Sequence, residues 1–328
     1  MTGNQAVQPQ LVDESAGVAR MCARATGAGV IALDTESDSL HSYFHKLCLI
    51  QISFAGEHVV LDPLVLDRES LRPFADLLGD PKVEKVLHGA DYDLRVLNRD
   101  LGARVVRLRD TQLAAQLLGE VQTGLAALVE REAGVALDKR HQRADWGKRP
   151  LSRDLLAYAA GDTAYLELLR GRLAERLAAL GRLPWWEEEC EALEAVRWEP
   201  PVADPLAFER IRGASKLVGA ARDRLAALHA WREQEAASQD VPPFRILHSD
   251  ALLTLASNPP SDLAALASVP GVGKRTARLY GRELMRSLTQ PPPAPAREAR
   301  QRVPVDRQRE ARVRQARAAR DTIATQLQ

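Results

Sequence analysis

The feature that most constrains this chain is an apolar strand running straight into two acids, Val30-Ile31-Ala32-Leu33-Asp34-Thr35-Glu36. Side chains alternate across a strand with period two, so Asp34 and Glu36 share one face and Leu33 and Thr35 the other. Two carboxylates on one face repel each other unless water, a proton or a cation lies between them. Read alone, the tripeptide also fits an ordinary strand end whose acids face water. The residues around it fix the kind of sheet. A short polar lead is followed by an amphipathic helix over 11–26. Strands are expected at 30–35, 47–54 and 58–61, with Gly56-Glu57 as a hairpin turn. Helices and short strands then alternate: helix 71–78, strand 85–87, helix 92–101, strand 105–108, helix 111–118, and helical patterns at 124–132 and 152–180. An antiparallel opening followed by βαβ units predicts an α/β unit, a mixed sheet flanked by helices.

With 328 residues the chain has room for about two domains, and its second part reads differently from its first. Residues 184–205 form a connector with four prolines, an acidic run and Trp185, Trp186 and Trp198, which should pack it onto the first domain. Residues 206–290 show helices only, at 206–211, 216–237, 250–256, 261–267 and 274–288. Residues 291–328, rich in Pro, Ala, Arg and Gln, should be disordered alone and helical at most on contact. The net charge of +1 conceals an asymmetry. Residues 204–290 hold twelve Lys+Arg against nine acids and 291–328 nine Arg against four, which leaves 1–203 at −7. An acidic first part suits cations and a basic second part a polyanion, although drift in composition yields the same numbers. No apolar run approaches the ~20 residues of a membrane span. The start lacks the basic and apolar regions of a signal peptide. Three scattered cysteines, Cys22, Cys48 and Cys190, make no disulfide or zinc pattern, so a cytoplasmic location is expected.

Two further words carry acids. His88-Gly89-Ala90-Asp91-Tyr92-Asp93 follows a strand and opens a helix, where backbone N–H groups favour negative charge. Asp91 can serve as its cap and Asp93 is free for another role. In Tyr158-Ala159-Ala160-Gly161-Asp162 the phenol and carboxylate sit at i and i+4 on one helix face. Each signal is modest; their order and spacing are specific together.

Asp34-x-Glu36, His88-x3-Tyr92-Asp93 and Tyr158-x3-Asp162 resemble the three motifs of the DEDD exonuclease superfamily in its tyrosine-containing branch. Leu47-Cys48-Leu49-Ile50-Gln51-Ile52, Asp145-Trp146, Arg149-Pro150-Leu151 and Tyr158-Ala159-Ala160-Gly161-Asp162-Thr163 narrow the resemblance to the ribonuclease D family over about residues 15–180. Phe244-Arg245-Ile246-Leu247 and Ser268-Val269-Pro270-Gly271-Val272-Gly273 are similar to one helicase-and-RNase-D C-terminal (HRDC) domain over about 206–289. Well-known members carry a second such domain, and 291–328 is too short and polar for one.

The resemblance implies an RNase H-like exonuclease domain over 1–183, the connector at 184–205, an all-α HRDC domain over 206–290 and a basic tail. It implies a 3′→5′ exoribonuclease that releases nucleoside 5′-monophosphates, with tRNA precursors as the familiar substrate. Asp34, Glu36, Asp93 and Asp162 would bind two Mg²⁺ or Mn²⁺ ions, whose charge they balance and whose hardness suits carboxylate oxygen. Tyr158 would orient the attacking water. Thr35, His88, Gln51 and Arg149 are candidate contacts to substrate, with satisfying a buried backbone group the alternative for Gln51 and pairing with an acid the alternative for Arg149. Asp110 and Asp145 read as a helix cap and a turn anchor. In the second domain, Gly271-Val272-Gly273-Lys274 opens a helix bearing Arg275, Arg278 and Arg282, which could grip phosphate or be solvated. RNA is the expected partner, with no membrane. A DNA exonuclease and a catalytically silent RNA-binding scaffold are the alternatives.

Overall fold

The computed structural model describes residues 8–296 and 306–326, and the chain divides into two units at Pro201/Val202. In the first unit the longest strand that is buried at every position has cover on both faces. This is β3 (Leu47–Phe54), third in a six-stranded sheet of order β1-β4-β3-β2-β5-β6. The others are β1 (Gln10–Val12), β2 (Val30–Ser37), β4 (Glu57–Leu61), β5 (Glu84–Leu87) and β6 (Leu108–Asp110). The neighbours β2, β3 and β4 are antiparallel, whereas β5 and β6 run parallel to β2 and β1 parallel to β4. The expected mixed sheet is therefore present.

Around it lie α1 (Ser15–Ala28), α2 (Arg72–Gly79), α3 (Asp91–Leu101), α4 (Thr111–Leu117), α5 (Leu125–Ala133), α6 (Arg153–Thr163), α7 (Leu166–Ala179) and α8 (Leu183–Leu193). Asp110 shows why the chain turns where it does. Its carboxylate caps α4 by accepting from the N–H groups of Gln112 and Leu113, and it also accepts from Gly89 and Ala90 at 3.0 and 2.8 Å, which fixes the start of α3. Gly89 there has φ +72°, and a Cβ would meet Gln112 Oε1 at 3.0 Å.

Several expected boundaries move. Residues 10–12 form an edge strand, paired from Gln10↔Val59 to Val12↔Leu61, where a helix start is expected. Three residues are too few to show a period. The helical pattern over 152–180 divides into α6 and α7 with no Gly or Pro at the break; α6 packs on β3 and β4, and α7 on α4 and β5. The last strand lies at 108–110, not 105–108.

The connector also differs. Its first half is α8, part of the first unit, because Trp186 and Cys190 are buried and Trp186 Nε1 donates to the Asp110 carbonyl at 2.8 Å. Trp185 and Trp198 are exposed, so one tryptophan of the three does the packing.

The second unit contains helices and turns only: two 3₁₀ turns, then α9 (Ala220–Gln239), α10 (Pro243–Ile246), α11 (Ser249–Ser257), α12 (Leu263–Ala267) and α13 (Gly273–Thr289). Asp262 caps α12 through the Ala265 N–H at 2.8 Å. The expectation of a disordered tail is corrected over Arg307–Gln326, which forms α14. Its Ala- and Arg-rich sequence has high helix propensity without any core to pack. Residues 297–305 and 327–328 of that tail lie outside the described residues. Among the described residues, no helix is long and apolar enough to cross a membrane.

Candidate active site

The acidic face of β2 is the foundation of the site. Asp34 pairs with Gln51 across β2 and β3, and Ser53, two residues on, hydrogen-bonds Thr163 of α6 at 2.6 Å. By alternation, the Asp34–Glu36 face is therefore the one that α6 covers. One turn of α6 carries both Tyr158 and Asp162, and α6 crosses β2, β3 and β4. The result is a convergence of three carboxylates: oxygens of Asp34, Glu36 and Asp162 all lie within 4.8 Å of one another, the only such group of three or more metal-ligating residues among the described residues.

These acids line one wall of a cleft of about 550 Å³, together with His88 and Tyr158. The opposite wall is the start of α5 (Gly124 to Ala127) and the loop with Leu137, Asp138, Lys139 and Gln142. That wall is missing from the sequence reading. Its signal is faint, a polar segment just ahead of Asp145-Trp146. Trp146 is buried and tilted against the Tyr158 ring at 6.1 Å, while His141 meets it edge-on at 5.5 Å, so the phenol is held from two sides.

The electrostatics are those of too much negative charge in too little water. Burial pushes the Asp34 carboxyl well above the carboxylate range, with the charges of Asp93, Asp162 and Glu36 adding to it. Glu36 is pushed up to about 8 by burial and then by Asp162 and Asp93. Burial holds Asp162 at about 7. Tyr158 is raised by burial and by the same acids, so its phenol keeps its proton near neutrality. Burial lowers His88, whose Nδ1 bonds Thr111 Oγ1 at 2.9 Å; the ring is neutral at pH 7.

The remaining expected residues separate into those near the cluster and those outside it. Asp93 is buried at the first turn of α3 and is raised to about 7 by burial, although the Thr35 hydroxyl, donating at 2.5 Å, opposes that rise. It acts on Asp34 and Glu36 through charge and is not among the three converging oxygens. Thr35, expected against substrate, is buried on the other face of β2 with its hydroxyl engaged by Asp93. Gln51 is fully buried, does not line the cleft, and neither end of its amide has a hydrogen-bond partner. Arg149 is the clearest correction. Its Nε and one Nη hold both oxygens of buried Asp62 at 2.5 and 2.6 Å, and the rest of the fork binds the carbonyls of Cys48, Trp146 and Lys148. A guanidinium so committed has no donor left for phosphate. Asp110 is the cap expected of it, and Asp145 faces His41 and Lys148 at 3.6 and 3.5 Å.

Comparison with known proteins bears on what this geometry serves. Residues 9–178 match the 3′-5′ exonuclease family and residues 221–288 the HRDC domain. Ribonuclease D of Sphingobium indicum is 34% identical over 298 residues, covering 90% of this chain and 76% of that protein. The chain belongs to the ribonuclease D family. Ribonuclease D of Haemophilus influenzae is also 34% identical, over 86% of this chain and 70% of its own length. Among solved structures, Escherichia coli RNase D, an exoribonuclease involved in structured RNA processing, matches at 30% identity and TM-score 0.67, covering 88% of this chain and 78% of that one. The catalytic core of RRP6 from Trypanosoma brucei matches at 27% identity and TM-score 0.79, covering 87% and 80%. As a ribonuclease D relative, the protein is a 3′→5′ exoribonuclease with an RNase H-like sheet and a helical HRDC unit.

Proposed function

We propose that the cleft between β2, α6 and α5 removes nucleoside 5′-monophosphates one at a time from RNA 3′ ends, tRNA precursors among them, in the cytoplasm. The observation that carries this is the convergence of Asp34, Glu36 and Asp162 in one cleft with Tyr158 beside them. The donor set fits two divalent ions of the Mg²⁺ or Mn²⁺ kind. It is all carboxylate oxygen, and an octahedral ion with bonds of about 2.1 Å spaces its ligands within the span seen here. Asp34, Glu36 and Asp162 would hold the ions, with Asp93 completing the set. When bound, the ions would activate water and neutralise the charge that builds up in an in-line phosphoryl displacement.

The residues supply the rest. Tyr158 orients the attacking water through its hydroxyl and is no base, because its proton is held more tightly than that of a free phenol. Neutral His88 offers a ring edge to the terminal nucleotide without adding charge to the acidic wall. Lys139, across the cleft, is placed to meet the phosphate. Thr35 positions Asp93 through its hydroxyl.

The test uses 5′-labelled single strands of RNA and DNA of equal sequence, with Mg²⁺, Mn²⁺ or EDTA, and Asp34→Asn beside the wild type. The expected result is a metal-dependent ladder shortening from the 3′ end of RNA and absent in the variant. Equal rates on DNA would replace the RNA reading with a DNA exonuclease. No ladder on either strand, with RNA still bound, would leave a silent scaffold.

A further inference from the structure

Among the described residues Gln51 alone buries a side chain with two polar atoms and no hydrogen-bond partner for either. It sits in the middle of β3, on the face that α6 covers, and is not among the residues lining the cleft. An unpaired amide carries a desolvation cost there that leucine or valine would not. The acids around it are served. Arg149 holds Asp62, backbone N–H groups hold Asp110, and the Thr35 hydroxyl holds Asp93. Asp34, in the converging group, has no side-chain donor among the described residues.

The strand register fixes what the amide faces. Directly across from Gln51 stand Asp34 on β2 and Val60 on β4. Along β3, Leu49 and Ser53 share its face by alternation. Leu49 and Val60 pack with Ala159 of α6 in one apolar cluster, which has nothing to offer an amide. The Ser53 hydroxyl is taken by His58 Nδ1 at 2.7 Å and Thr163 Oγ1 at 2.6 Å. Of these four neighbours, Asp34 alone has a side-chain acceptor left uncommitted. Directly opposed residues have Cβ atoms about 4.5–5.5 Å apart, so a glutamine side chain spans the gap to its partner's carboxylate by rotation about its own bonds.

We propose that Gln51 is a positioning residue for the metal site: its Nε2 donates to the Asp34 carboxylate and fixes the orientation in which that carboxylate takes a divalent ion. The inference rests on Asp34 being a metal ligand, as the proposed function has it, and adds what orders that ligand. An ionised carboxylate only accepts, and the amide NH₂ is a donor without charge. A lysine or arginine in its place would neutralise the acid that the ion needs. Donors behind a metal ligand hold its orientation, and their loss costs about 10–100-fold in metal affinity.

The experiment counts Mn²⁺ bound by the full chain, without RNA, from the electron paramagnetic resonance signal of the free ion, with Mg²⁺ and Ca²⁺ as competitors. Gln51→Met keeps the length of the side chain and removes the donor. It should bind Mn²⁺ at least about tenfold more weakly. Mg²⁺ should lose more than Ca²⁺, because Mg²⁺ demands near-ideal octahedral ligands and Ca²⁺ accepts irregular ones. Ile52→Val, buried on the opposite face of β3, should lower stability and leave all three affinities unchanged. In EDTA, Gln51→Met should melt at or above the wild type, and in Mg²⁺ it should gain less. Gln51→Leu repeats the test if the methionine variant does not fold. Wild-type Mn²⁺ affinity in Gln51→Met, an equal loss for Mg²⁺ and Ca²⁺, or a lower melting point in EDTA would overturn the role. If that happened while the wild type bound Mn²⁺ and trimmed RNA, this inference alone would fall. A wild type that binds no Mn²⁺, or an Asp34→Asn variant that binds it equally well, would instead reject the metal site on which the proposed function stands.

Discussion

Removing divalent metal while raising the pH should destabilise this protein, the opposite of the usual response of a surface carboxylate. Asp34 and Glu36 on β2 and Asp162 on α6 converge, Asp93 on α3 adds its charge to theirs, and Tyr158, His88, Asp138 and Lys139 are further titratable residues lining the cleft. Asp162 is held at about 7 against its ordinary 3.8, and Glu36 at about 8 against 4.5. A carboxyl raised in the folded state favours folding while protonated, so its contribution is full below about pH 4 and is lost as pH climbs through the folded value. Ionising Asp162 alone then costs the fold about 4 kcal/mol at about 1.4 kcal/mol per pH unit. Glu36 and Asp93 would bring the sum to the scale of a whole domain's stability, about 5–15 kcal/mol. The metal-free fold must therefore keep protons among these acids or weaken sharply.

Only the part between pH 5.5 and 7, about 2 kcal/mol, falls inside an accessible window, and at about 2–4 °C per kcal/mol for a domain of this size Asp162 alone lowers Tm by roughly 4–8 °C between pH 5.5 and 8.5. Differential scanning fluorimetry in EDTA and in millimolar Mg²⁺ measures it. Tm in EDTA should fall across that range, and Mg²⁺ should raise it more at pH 8.5 than at 5.5, because protons and metal compete for the same oxygens. Asp34→Asn, with one charge fewer, should show a shallower fall. A Tm in EDTA that stays level or rises with pH, or a Mg²⁺ effect of equal size at both ends, would refute the charge-cluster argument.

Other consequences are as direct. Tyr158→Phe should keep the Mg²⁺-dependent gain in Tm and lose about 10²–10³ in trimming rate, read by single-turnover kinetics, since it removes the hydroxyl and no metal ligand. Arg149→Met leaves Asp62 buried without a cation, with the Leu64 N–H still donating to it, and should cost about 3–5 kcal/mol by urea denaturation, while trimming per folded molecule stays within about twofold. A hundredfold loss of rate at unchanged stability would restore Arg149 to the substrate. Gln51→Met replaces an amide with no bonding partner and should stabilise the fold by about 1–2 kcal/mol; destabilisation would show that the amide has a partner.

How much of this is legible in the sequence depends on the range of the interaction. Features set by local periodicity read well. The shared face of Asp34 and Glu36 follows from strand alternation, and that of Tyr158 and Asp162 from helical spacing. The central strands and the helices of the second unit follow from runs long enough to show a period. Features set by a distant partner do not read. Nothing near Arg149 announces that Asp62, 87 residues earlier, will take its fork. Thr35 reads as one residue of an acidic motif, and only the packing of α3 shows that its hydroxyl serves Asp93. The break between α6 and α7 has no glycine or proline, because two packing surfaces create it.

The topology explains why acids so far apart in sequence meet at all. β5 runs parallel to β2, in register from Val30↔Glu84 to Ala32↔Val86, so both strands point their C-terminal ends the same way. The chain leaving β5 has only His88, Gly89 and Ala90 before α3 begins, and Asp110 holds two of those three residues by their N–H groups. The first turn of α3 is thus delivered beside the end of β2, where Asp93 meets Thr35. On the opposite face, the hydrogen bond between Ser53 and Thr163 sets α6 over β3, and Asp162, one residue before Thr163, comes down on the acids of β2. Each acid arrives by a different constraint: strand alternation, a three-residue link from a parallel strand into α3, and a helix packed on β3 and β4 and pinned by a hydroxyl pair. A slip of one residue between β2 and β3 would turn Leu33 and Thr35 toward α6 and remove Asp34 and Glu36 from the cluster. The buried run of β3 is what opposes that slip, so the stability of the sheet and the geometry of the site are one and the same property.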